Sequence, residues 1–147
     1  MSLPVLEAPL APIRFAPQQA LDVMAPVATL KTLCSNCHLR ELCLPCGMAG
    51  SDVARLDSLM FARRRVRSAQ ALYHEGERFQ FVYAVRSGTF KSSLTLADGR
   101  EQVSNFHIAG ELMGLDGVAQ GNHASSATAL EDAEVCAIPY AQLTELA

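Results

Sequence analysis

The 147-residue chain has no tryptophan, and only 18% of its residues are charged. It lacks any apolar run approaching the roughly 18–20 residues that span a bilayer, which excludes a transmembrane helix and predicts a protein with no membrane partner. The start shows no early Lys or Arg followed by an apolar stretch, so no secretory signal is read there and a cytoplasmic location is expected. Basic residues are not in excess: 12 Lys and Arg stand against 15 Asp and Glu, a net charge of −3. Phosphate neutralisation needs the opposite balance, which argues against the whole chain acting as a nucleic-acid binder. Histidines are few (His38, His74, His107, His123) and show no metal-binding spacing. His38, beside Cys37, reads either as a tuner of a metal site or as a solvated loop residue. Nucleophile–base pairs, phosphate-cradling loops and paired carboxylates are also missing, so no enzyme is predicted.

What is abundant is apolar sequence, 50% of the residues. A chain of this length buries roughly 70% of its unfolded surface and needs no disulfides to hold a core. Cysteine is the informative residue. Of five, Cys34, Cys37, Cys43 and Cys46 fall within thirteen positions, and Cys136 lies ninety residues further on. In a reducing compartment such a cluster points to a metal site more than to a disulfide framework.

The chain divides into three stretches. Residues 1–33 hold five of the seven prolines and read as an irregular arm with one short helical turn near residues 18–24. Residues 34–47 form the cysteine loop. Residues 48–147 are expected to form a mainly β domain with short flanking helices. Ser51 is a plausible N-cap, and Val53, Leu56, Leu59 and Met60 give one apolar face, predicting a helix over residues 51–62. Arg63, Arg64, Arg65 and Arg67 then complement its C-terminal dipole; they read as a solvated helix end or as a contact for DNA or polymerase. Short β segments follow at residues 81–85, 89–96, 101–108, 125–130 and 134–138, with Asp98-Gly99 as a two-residue hairpin turn. This spacing predicts a sandwich or roll. Pro139 opens a last helix, in which Leu143 and Leu146 begin an apolar face.

Two metals suit the cysteines. Zinc takes four tetrahedral ligands, which Cys34, Cys37, Cys43 and Cys46 could all supply locally. A cubane iron–sulfur cluster takes one thiolate per iron, and Cys136 is the remote candidate for the fourth. Spacing alone leaves both open.

The loop Cys34-Ser35-Asn36-Cys37-His38-Leu39-Arg40-Glu41-Leu42-Cys43 resembles the cluster-binding loop of the fumarate and nitrate reduction regulators (FNR), the oxygen-sensing branch of the cyclic-AMP receptor protein superfamily. The resemblance extends through Leu72-Tyr73-His74-Glu75-Gly76-Glu77, through Tyr83-Ala84-Val85-Arg86-Ser87-Gly88 and through Phe106-His107-Ile108-Ala109-Gly110-Glu111. It ends on Glu134-Val135-Cys136-Ala137-Ile138-Pro139 and covers about residues 33–147. It implies a cyclic-nucleotide-binding-like β-roll, or double-stranded jelly-roll. It also implies a 4Fe–4S cluster held by Cys34, Cys37, Cys43 and Cys136, with Cys46 left over. Oxygen would convert the cubane to a 2Fe–2S form and then to apoprotein, so aerobically prepared material is expected to be apo. Leu39, Leu42 and Leu44 would either regulate oxidant access or simply pack the loop.

The same resemblance implies a full-length regulator that dimerises, binds DNA through a helix-turn-helix and contacts RNA polymerase. The sequence stops at Ala147, before the dimerisation helix and the DNA-binding motif that the resemblance leads one to expect. This portion alone is therefore expected to be mostly monomeric and to bind no DNA, with the surface around Leu143 and Leu146 the first candidate for any dimer contact. No cyclic nucleotide is expected either. Leu115 stands where nucleotide-binding members carry a ribose glutamate, and Ala124 stands where they carry the phosphate arginine. A buried phosphate without that arginine lacks its charge-assisted partner.

Overall fold

The computed structural model describes residues 33–44, 46–59 and 62–146. Residues 1–32 of the arm, with its expected helical turn near residues 18–24, and Pro45, Met60, Phe61 and Ala147 lie outside the described residues. Two four-stranded antiparallel sheets make a β-roll. Its strands are β1 (Ala62–Val66), β2 (Ala71–Tyr73), β3 (Phe81–Ser87), β4 (Phe90–Thr95), β5 (Glu101–His107), β6 (Leu112–Met113), β7 (Ser126–Ala129) and β8 (Ala133–Pro139). One sheet runs β1-β8-β3-β6 and the other β2-β7-β4-β5. Among the described residues no helix is long and apolar enough to cross a membrane.

Strand alternation decides which side chains enter the roll. On β8, Ala133, Val135 and Ala137 face the main core, where they meet Tyr83 and Val85 of β3, Phe90 of β4 and Met113 of β6. Residues at the opposite parity, Val82, Ala84 and Arg86 on β3 and Cys136 and Ile138 on β8, face outward from that core. Antiparallel register sets Ala84 opposite Cys136 and Val82 opposite Ile138.

That outer face is covered. A 3-10 turn (Cys34–Asn36), the short α1 (Arg40–Cys43) and α2 (Gly50–Ser58) lie over it with α3 (Tyr140–Thr144). Leu56 and Leu59 form a second apolar cluster against which Cys34, Leu44, Met48, Ile138, Leu143 and Leu146 pack. Leu143 and Leu146 therefore belong to this small core and are not the exposed patch expected from the sequence. The exposed apolar side chains lie elsewhere, with Phe106 57%, Ile108 58% and Leu115 53% exposed.

Three local expectations are corrected. The helix covers Gly50–Ser58 instead of residues 51–62, with Ala49 at its N-cap, so Ser51 sits inside the first turn. Arg63, Arg64 and Arg65 do not end that helix. They lie on β1, where pairing with β8 sets Arg63 opposite Cys136 and Arg65 opposite Glu134. The hairpin at Asp98-Gly99 is wider than two residues: the strands end at Thr95 and resume at Glu101, and Leu96 N–H donates to the Arg100 carbonyl at 2.8 Å.

Candidate metal centre

The loop is wound by its own backbone. Cys37 N–H donates to the Cys34 carbonyl at 3.2 Å, and Cys43 N–H donates to Leu39 at 3.0 Å. Ser35 N–H reaches Asp57 Oδ1 at 3.1 Å, which ties the loop to α2. This winding places Cys34, Cys37 and Cys43 on the wall of one cavity of about 270 Å³, with Cys136 of β8 on the opposite wall. The remaining lining is mostly apolar, including Leu39, Leu44, Met48, Val82 and Ile138. Cys46 is exposed and lines a different cavity with Ser35, Glu41 and Asp57.

Arg86 spans the junction. Its Nε donates to Glu134 Oε1 at 3.1 Å, while Nη1 points to Cys37 Sγ at 3.6 Å and to Cys136 Sγ at 3.7 Å. Burial pushes the Cys34 thiol up to about 11, and Asp57 and the neighbouring Cys136, Cys37 and Cys43 sulfurs add to the rise. Cys43 is raised by burial and then by Cys37 and Cys136, with Arg86 opposing.

Among the described residues no three His, Cys, Asp or Glu side chains converge tightly enough to hold one metal ion. A single zinc at about 2.3 Å from each thiolate would set the sulfurs about 3.8 Å apart. A cubane spreads its four thiolates over four irons and so accepts a wider set. Four thiols around a largely apolar cavity, with Arg86 and Arg40 on its wall, are a donor set that suits the wider group.

Of the loop leucines, Leu39 and Leu44 line the cavity, whereas Leu42 is 67% exposed and lies over Gly110. His38 is exposed and does not line the cavity. Sequence reasoning passed over Arg86 and Glu134; the available signal was that Glu134 shares a strand face with Cys136, two residues away.

A second cavity of about 210 Å³ lies beside β4, β5 and β6, lined by Tyr73, Ser92, Asn105, His107, Asp116 and Ser125 among others, with no Lys or Arg. Its carboxylate is already engaged. Asp116 accepts from Ser125 N–H at 2.9 Å and Oγ at 2.8 Å, and it pairs with His123 Nδ1 at 3.1 Å. His123 stacks on Tyr73 with centroids 3.8 Å apart. Leu115 is exposed, and so is Ala124.

A two-sheet β-roll with a cavity of about 270 Å³ outside one sheet defines the class of fold. The model of the cyclic nucleotide-binding domain matches residues 63–147, and the chain belongs to that family. It is similar to the transcriptional regulatory protein btr of Bordetella pertussis, 44% identical over 105 residues, covering 71% of this chain and 43% of the relative. It is also similar to the fumarate and nitrate reduction regulatory protein of Escherichia coli, 36% identical over 113 residues, covering 77% of this chain and 45% of the relative. The chain thus spans less than half the length of these curated relatives. Among solved structures, the catabolite activator protein of Thermus thermophilus superposes with a TM-score of 0.61 at 28% identity, over 68% of this chain and 47% of that one.

Proposed function

We propose that this chain is the sensory domain of an oxygen- and redox-responsive transcription regulator in which Cys34, Cys37, Cys43 and Cys136 hold a 4Fe–4S cluster. One observation carries the reading: Cys136 faces out of the roll onto the cavity that the three loop cysteines line, while Cys46 turns to another. That division also disfavours a local zinc module built on Cys34, Cys37, Cys43 and Cys46. Similarity to the regulators named above supports the regulatory role.

When bound, such a cluster supplies an oxidant-labile link with one thiolate on each iron. The protein supplies the rest. Three ligands come from the wound loop and one from β8, so the site joins loop to roll. Leu39, Leu44 and Met48 restrict water on the loop side. Burial raises the Cys34 and Cys43 thiols, and ligation as thiolates releases their protons, so loading is coupled to pH and to conformation. In a protein of the relatives' length, the intact link favours dimerisation and DNA binding, with RNA polymerase downstream, and its loss switches them off. The second cavity offers a carboxylate and no cation to a cyclic phosphate, so it is not assigned a nucleotide.

The test is anaerobic reconstitution with iron and sulfide, read by absorption and by iron and sulfide content, followed by air. Wild type should turn brown and bleach in air. Cys136→Ala should lose the chromophore and Cys46→Ala should keep it. A colourless protein with one zinc per chain, insensitive to Cys136→Ala and abolished by Cys46→Ala, would overturn the proposal.

A further inference from the structure

The guanidinium of Arg86 is placed by three features of the fold. Arg86 shares the outer face of β3 with Val82 and Ala84, and the register shifts between Val85 and Ser87 just where it sits. Its side chain is 13% exposed. Glu134, two residues before Cys136, takes the Nε edge of the planar fork at 3.1 Å, which leaves Nη1 aimed at the sulfurs. The pair of contacts is unusual in kind: one nitrogen touches a sulfur of the loop, Cys37, and a sulfur of the roll, Cys136. Arg65 also reaches Glu134, at 3.7 Å, but is 91% exposed and contributes little to holding it. Arg40, the other cation on the cavity wall, is exposed and directs Nη1 to the Ser35 carbonyl at 3.4 Å.

We infer that Arg86 is a positioning residue, a clasp fixed by Glu134 that holds Cys37 of the loop against Cys136 of the roll whether or not a metal is present. The inference rests on the reading of these two cysteines as ligands, but the contact itself belongs to the protein alone. A guanidinium stays charged at every accessible pH, so it can donate to a thiol sulfur, weakly, and to a thiolate, more strongly. It therefore keeps the two halves of the site together in the metal-free protein and offsets part of the negative charge that four thiolates bring into an apolar cavity. Lysine would keep the charge without the fork that reaches Glu134 and both sulfurs at once.

The experiment uses the full 147-residue chain as wild type, Arg86→Met and Arg86→Lys. Amide hydrogen exchange of the metal-free proteins is read at Cys37, Cys43 and Leu44, with Val85 and Val135 reporting the roll core. The rate of anaerobic chromophore build-up with iron and sulfide is the second readout. Arg86→Met should speed loop exchange and slow build-up, each by about tenfold, the size of losing hydrogen bonds from a charged donor, with core amides unchanged. Arg86→Lys should recover part of the build-up rate, which a merely structural role would not predict. Loop exchange and build-up both matching wild type in Arg86→Met would overturn the clasp while leaving the cluster reading intact. A wild type that builds no cluster, with loop exchange still faster in Arg86→Met, would overturn the cluster reading and uphold the clasp.

Discussion

Replacing Gly110 with alanine separates the strain of a left-handed backbone from the seating of the cysteine loop. Gly110 turns the chain between β5 and β6 with φ +94°, and its N–H donates to the Val85 carbonyl at 2.9 Å. A Cβ added there would lie 2.6 Å from Leu42 Cβ and 3.1 Å from its Cδ1. A new Leu42 rotamer can move Cδ1 away. Cβ, however, is fixed to the backbone of α1, so α1 itself has to shift, and it carries Cys43. Gly99 is the matched control, with φ +84° and nothing within 4 Å of an added Cβ. Gly99→Ala should cost about 1–2 kcal/mol, the penalty for placing a side chain in the left-handed region. Gly110→Ala should cost that and a further 1–3 kcal/mol or so for overpacking.

Urea unfolding of the metal-free protein gives the two stabilities by linear extrapolation. Hydrogen exchange at Cys43 and Leu44, whose amides donate to Leu39 and Arg40 at 3.0 Å, reports whether α1 has lifted. Gly110→Ala should speed these two amides while Gly99→Ala leaves them alone. Adding Leu42→Gly to Gly110→Ala removes the clashing atom and should slow exchange again, less the cost of a glycine in α1. Equal losses of stability in the two single variants, with exchange at α1 unchanged in both, would refute the seating of the loop on the turn.

Phe90 is fully buried in the main core, so Phe90→Ala should lower the unfolding free energy by about 3–5 kcal/mol, measured by the same titration. Asp116 gives the pH dependence. Burial alone would raise its carboxyl, but hydrogen bonds from His123 and Ser125 outweigh that and hold it below the ordinary carboxylate range. A depressed folded value stabilises above the unfolded value near 3.9 and is lost as pH falls through the folded one. Asp116→Ala should therefore cost about 2–3 kcal/mol at pH 7, and the gap from wild type should narrow only below about pH 4; a gap constant down to pH 2.5 or so would contradict this. Millimolar cyclic AMP should leave the thermal midpoint unmoved, and a rise that saturates with nucleotide would count against the cation-free reading of the second cavity.

The strands were the most legible part of the sequence because their alternation is local. Residues 133–135 read apolar, polar, apolar, while Cys136, Ala137 and Ile138 are all apolar, and β8 carries both stretches. What alternation could not tell was which face is the core. Both faces of the β1-β8-β3-β6 sheet are covered, the outer one by α2, α3 and the cysteine loop, so Cys136 is buried without entering the main core. The arginine run failed for a related reason. Arginine is a good helix former, and what makes residues 62–66 a strand is pairing with residues 133–137, some seventy positions away. The cysteine motif was legible as a motif, since spacing is a property of the chain. Arg86 was not, because its role depends on antiparallel register setting Ala84 opposite Cys136 and on the shift between Val85 and Ser87 that follows. An arginine two residues after a strand's apolar centre reads as a solvated strand end until the partner strand supplies both a carboxylate to fix it and a sulfur for it to reach.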